Sequence, residues 1–146
     1  QAVINLFFLV MNIYGWYNWS RKDNSDLNKV QIKFSSRKEN ILYSIVSVLL
    51  TLSIYWALSN VEILNFDWKF VLIESFITAL NFIAMWLMAW KRVENWVLWI
   101  VGDIFCLPLF VFKEYYLSVA QFSIFIIIAF MGYFEWKKKA LKNQEI

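Results

Sequence analysis

The sequence predicts an all-α fold, a polytopic membrane helical bundle of five transmembrane helices. Five apolar stretches are each about long enough to cross a bilayer, and the loops between them alternate between crowded and nearly empty in Lys and Arg. The composition, 61% hydrophobic and 21% aromatic over 146 residues with a mean hydropathy of +0.53, exceeds what a soluble core of this length can bury. Lipid therefore has to be the solvent. Three Gly and one Pro leave little room for strand turns, and the apolar runs lack the period-two alternation of a membrane barrel. Helices remain as the way to satisfy backbone groups in hydrocarbon.

With a rise of about 1.5 Å per residue and a hydrocarbon core of about 30 Å, the spans fall at residues 2–19, 41–59, 68–90, 96–112 and 118–136. The first, within residues 1–19, ends in the aromatic belt Tyr14, Trp16, Tyr17 and Trp19. It opens at Gln1 inside an apolar helix without a charged n-region, which reads as a fragment rather than a leader peptide. Residues 20–40 make a polar loop expected to face solvent. The second span, within residues 41–60, carries only Ser, Thr and Tyr as polar groups, which a helix satisfies with its own backbone, and reads as a structural linker. Spans three to five, within residues 61–139, are joined by tight loops, as antiparallel neighbours are. Pro108 is expected to bend the fourth near its outer end. Residues 140–146 form a tail.

Charge sets the orientation. Arg21, Lys22, Lys29, Lys33, Arg37, Lys38, Lys91, Arg92, Lys137, Lys138, Lys139 and Lys142 fall on one side of the predicted membrane, leaving Lys69 and Lys113 for the other. By the positive-inside rule the crowded loops and the C-terminus of this multi-pass chain are cytoplasmic. The net charge of +3 therefore belongs to topology and not to nucleic-acid binding. A weak echo, Gly15 to Trp19 against Gly132 to Trp136 with trailing basic residues, suits parallel helices of two repeats related by an axis along the membrane normal; any inward-ending helix finishing in aromatics would look similar.

Function must lie with the few polar groups inside lipid, where an ionised side chain costs roughly 2.5 to 3.5 kcal/mol on insertion scales. Span three places Glu74, Thr78 and Asn81 on one face with Met85 and Met88, and span four places Trp96, Trp99 and Asp103 on another. Span one offers Asn5, Phe8, Asn12 and Trp16, and span five Gln121, Phe125, Ile128 and Gly132. By depth, Asn12, Asn81 and Asp103 meet near the midplane, with Gln1, Glu74 and Gln121 towards the outside. An acid beneath an indole suits a cationic aromatic solute. Trp96 by itself reads as an interface anchor.

The absence of His, the single Cys106 and the lack of any zincin motif, Cys cluster or phosphate-binding Gly loop leave no reaction centre or metal site, so an enzyme is not expected and no cofactor is called for. Cys106 reads as a small buried hydrophobe. One acid per helix makes neither a filter nor a charged ring of a channel. A transporter of a small polar, aromatic solute fits the inventory; the alternative is a non-transporting membrane subunit whose polar stripes are tightly packed helix contacts.

These residues also carry a resemblance. Trp86, Trp90 and Lys91, the run Glu94-Asn95-Trp96 with Trp99, Ile100 and Asp103, then Lys113, Gly132 to Trp136, and Tyr14 to Trp16 upstream together resemble the PnuC family of vitamin transporters along essentially the whole chain. The resemblance implies a SWEET-like seven-helix protein arranged three plus one plus three, of which this chain holds the third helix, the inverting linker and the second repeat. It implies facilitated diffusion of nicotinamide riboside, with relatives for thiamine or riboflavin, without a coupling ion and with trapping by cytoplasmic phosphorylation. Asn12, Trp16, Asn81, Trp99, Asp103 and Gln121 match the family's polar and aromatic lining. Together with Glu74 and Thr78 they form the expected substrate-binding set. The expected partners are the vitamin and the lipid bilayer, with a homo-oligomer left open.

Overall fold

A computed structural model of the chain describes residues 2–21, 30–60 and 67–144, so Gln1, Lys22, Lys29 and most of the predicted outer loop lie outside the described residues. The described residues form five helices, α1 (Ala2–Ser20), α2 (Arg37–Ser59), α3 (Trp68–Ala89), α4 (Glu94–Phe112) and α5 (Tyr116–Gln144). Four of them, α2 to α5, are long and apolar enough to cross a membrane. The first, whose apolar run is diluted by Asn5, Asn12 and Asn18, is not among them, so four of the five expected spans are shown to be long and apolar enough.

Helix ends follow local chemistry. α2 starts at Arg37, four residues before the apolar run, because Ser36 and Glu39 form a capping box: the Ser36 hydroxyl accepts from the Glu39 amide at 3.2 Å, and the Glu39 carboxylate accepts from the Ser36 amide at 2.6 Å. α3 closes with the Arg92 amide donating to the Leu87 carbonyl at 2.9 Å and the Lys91 amide to Met88 at 3.0 Å. α4 closes in the same way through Tyr115 onto Phe110 and Glu114 onto Val111. These are Schellman motifs whose left-handed residue, Lys91 at φ 51° or Glu114 at φ 57°, is not the usual glycine. Burial lowers the Lys91 ammonium below the ordinary lysine range, and its charge lies 5.3 Å from the Trp19 ring. α4 runs on through Pro108 to Phe112. α5 continues past the predicted residue 136 because Glu135 and Lys139 pair one turn apart at 2.5 Å in a run of good helix formers.

α3 is the central helix: α1, α2 and α4 pack on it, and α5 packs on α4. Ser75, Ala79, Ala84 and Ala89, all essentially inaccessible, let the neighbours approach closely. Cys106 is buried beside Ile77 and Leu109, in line with its reading as a small hydrophobe. The outer faces are the reverse of a soluble protein's. Ile41, Ile45, Val48 and Leu52 of α2 and Leu117, Ile124, Ile127 and Met131 of α5 are exposed, a surface that only lipid stabilises.

One loop departs from expectation. Residues 30–36 do not simply face solvent but dock on the α3–α4 turn. Lys33 pairs its backbone with Lys91 and Val93 at 3.2 Å each, and Ser35 donates its amide and hydroxyl to Glu94 at 2.8 and 3.0 Å. Arg92 donates to the Phe34 carbonyl and pairs with Glu39 at 2.5 Å, while Asn143 of α5 donates to the Ile32 carbonyl at 3.0 Å. Scattered polar residues here find mutual partners, which hydropathy does not report.

Candidate functional site

A cavity of about 350 Å³ lies between α1 and α5, with α3 and α4 as its other walls. α1 contributes Phe8 and Asn12, α3 contributes Asn81, Met85 and Met88, and α4 contributes Trp96, Trp99 and Asp103. The α5 wall is apolar: Phe122, Phe125, Ile128 and Ala129. A second cavity of about 210 Å³ adjoins it, sharing Asn12, Met85 and Met88 and continuing past Gly15 and Trp16 to Trp19 and Ala89.

Each polar group is placed by its helix. Asn12 donates to the Phe8 carbonyl at 2.9 Å, the i−4 bond that holds its amide along α1. Asn81 packs on Gly102, where a Cβ would sit 3.2 Å from its amide oxygen, so the glycine of α4 makes room for an amide of α3. Asp103 follows immediately. It is 5% exposed, lines the cavity and has no hydrogen-bond or ion-pair partner among the described residues. The indole nitrogens of Trp96 and Trp99, one turn apart on α4, are likewise buried with no acceptor among the described residues. Asp103 and the rings of Trp96 and Trp99 thus line one hollow, which suits a flat solute carrying positive charge.

At the end where the basic residues gather, aromatic rings close the space between α1 and α5. Trp136 lies 5.9 Å from Trp19 and 5.5 Å from Trp96, the latter edge-to-face at 89°. Trp19 is fixed by donating its indole N–H to the Met88 and Ala89 carbonyls at 3.2 Å, and Asn18 donates to Ala89 at 2.9 Å. Side chains of α1 thereby cap the end of α3.

The cavity brings together four of the eight expected residues, Asn12, Asn81, Trp99 and Asp103. It leaves out the others. Trp16, 75% exposed, lines only the adjoining cavity. Glu74 pairs with Lys113 at 2.5 Å, and Thr78 donates to the Glu74 carbonyl at 2.7 Å, both on the stretch of α3 nearer its start. Gln121 is exposed on α5. Trp96 lines the cavity, whereas the sequence reads it as an interface anchor; its i, i+3, i+7 spacing with Trp99 and Asp103 was the signal for the cavity face.

The sequence pattern of the family described as nicotinamide mononucleotide transporter matches residues 1–138. The chain is 26% identical over 160 residues to the nicotinamide riboside transporter PnuC of Escherichia coli (strain K12), covering 96% of this chain and 67% of that protein. It is 25% identical over 138 residues to the riboflavin/roseoflavin transporter RibM of Streptomyces davaonensis, covering 93% of this chain and 61% of that protein. Its fold is similar to the crystal structure of the vitamin B3 transporter PnuC, with a TM-score of 0.75 at 17% identity over 95% of this chain and 62% of that one. The chain thus spans about two thirds of the length of these relatives. The resemblance read from Glu94 to Asp103 and its flanking motifs is borne out, and the chain belongs to the nicotinamide mononucleotide transporter family, a family of membrane transporters and not of enzymes.

Proposed function

We propose that this chain moves nicotinamide riboside, or a vitamin of closely related build, across the bacterial cytoplasmic membrane by facilitated diffusion. The observation that carries the reading is the indole-walled, mostly apolar cavity between α1 and α5, with Asn12, Asn81 and Asp103 in its lining and a volume within the range of small-molecule sites. In this reading Asp103 offsets the pyridinium charge, Trp96 and Trp99 supply ring faces, and Asn12 and Asn81 read ribose hydroxyls and the amide. Trp16 belongs to the continuation of the path rather than to the site. A non-transporting subunit would have these faces packed shut, and they are not. The full arrangement we infer is three plus one plus three helices, with α1 as the last helix of the first repeat, α2 as the linker and α3 to α5 as the second repeat. Residues 30–36 and the end of α5 then face the cytoplasm, and alternate exposure of the site follows from rocking of one repeat against the other.

The similarity to a riboflavin/roseoflavin transporter keeps riboflavin as the second solute. Uptake of radiolabelled nicotinamide riboside into cells lacking their own carrier, competed with unlabelled nicotinamide riboside, thiamine and riboflavin, decides between them. Self-competition alone supports the proposal; uptake blocked only by riboflavin, or no uptake at all, overturns it.

A further inference from the structure

The wall of the cavity nearest the basic end is a tryptophan held in place by a missing side chain. At Gly132 of α5, an added Cβ would stand 2.6 Å from two carbons of the Trp96 indole and 2.7 Å from a third. Real Cβ atoms do not approach so closely, so any larger residue at this position must displace the ring. Trp136 meets the indole edge-to-face and blocks one direction. α4, which carries Trp96, blocks a second. The cavity that the ring lines offers it open space on another side. No hydrogen bond to a described residue resists the shift, because the indole nitrogen is unpartnered.

We propose that Gly132 and Trp96 together set the length of the solute cavity and so select against ring systems larger than the one it takes. Gly132 is the notch that keeps Trp96 withdrawn; filling the notch pushes the indole inward and shortens the space. This deepens the transport reading and rests on it. It assigns to Gly132 a positioning role, acting through Trp96 without touching solute.

The test is a double-mutant cycle in the full protein in detergent, with nicotinamide riboside and riboflavin as probes of a small and a large ring system. Both are measured by equilibrium binding, and each variant is checked for its thermal unfolding midpoint. Gly132→Ala is expected to weaken the larger probe by about tenfold more than the smaller, the scale at which pockets discriminate a small change in volume. Trp96→Phe in the same background, which removes the ring portion that the methyl strikes, is expected to restore the original ratio. Equal weakening of both probes, or no rescue by Trp96→Phe, overturns the inference while binding by the unsubstituted protein leaves the transport reading standing. Should Gly132→Ala fail to fold and the double variant fold, the clash is supported; should both fail, Gly132 is a packing residue only and the inference falls. Failure of the unsubstituted protein to bind either probe overturns the transport reading itself.

Discussion

At the scale of single residues, the proposed function turns on Asp103. It sits at the middle of α4, lines the hollow and has no cation among the described residues to neutralise it. A charge-assisted contact to a solute is worth about 1.5 to 3 kcal/mol, so Asp103→Asn is expected to weaken nicotinamide riboside binding by roughly tenfold or more. The neutral riboflavin should be affected far less. Calorimetry with both solutes checks this, and an equal effect on the two would remove the charge role. Asp103, Asn81 and Asn12 were legible in the sequence because an ionisable or amide side chain in an apolar helix needs a partner or a cavity. Which face of α5 lines the cavity was not legible, for a physical reason. α5 is apolar all round, so the stripes 121, 125, 128 and 122, 125, 129 are equally good helical faces, and nothing in the composition fixes the rotation of the helix. Trp16 and Trp19 pose the same problem on α1. Only the hydrogen bonds of Trp19 to Met88 and Ala89 decide which indole turns inward.

At the scale of elements, the end of α3 is held by another helix instead of by a glycine cap. Asn18 is 2% exposed and donates to the Ala89 carbonyl, while Gly15 brings α1 within 3.6 Å of the Ala89 Cα for a Cβ built there. Asn18→Ala leaves that carbonyl without its donor in a buried place and is expected to cost about 1 to 3 kcal/mol. A lowered thermal unfolding midpoint in detergent would show it, with the near-isosteric Asn18→Leu failing to rescue because it fills the space but cannot donate. Existence and order of the helices followed from hydropathy, but their ends did not. The capping box at Ser36 begins α2 before its apolar run, and the Glu135–Lys139 pair lies on the part of α5 that extends beyond its own. Neither is an apolar signal. The docked segment at residues 30–36 was hidden for the same reason, since its partners Arg92, Glu94 and Asn143 are distant in sequence.

At the scale of the whole molecule, lipid-facing surfaces on α2 and α5 surround an apolar core that holds a few polar groups, and the basic residues gather where α1, α3 and α5 end. The positive-inside rule then predicts the side. In a background with Cys106 replaced by Ser, Glu114→Cys is expected to react with a membrane-impermeant maleimide added to intact cells. Lys138→Cys should react only after the membrane is opened. The opposite pattern would invert the assigned topology. Cys106 itself is buried and should stay unlabelled in the folded protein.

α5 is 29 residues long, about 43 Å at the helical rise, so roughly a third of it stands clear of a 30 Å hydrocarbon slab. A rod of that length is a lever with its fulcrum beside the solute. A tilt of about ten degrees at Phe125 becomes a displacement of about 4 Å at Lys142, roughly 25 Å along the helix. The Asn143 clasp on Ile32 means that such a swing must either snap one hydrogen bond or drag the segment seated on the α3–α4 turn along with it. A pair of spin labels at positions 32 and 142 would thus read the posture of the carrier from outside the bilayer.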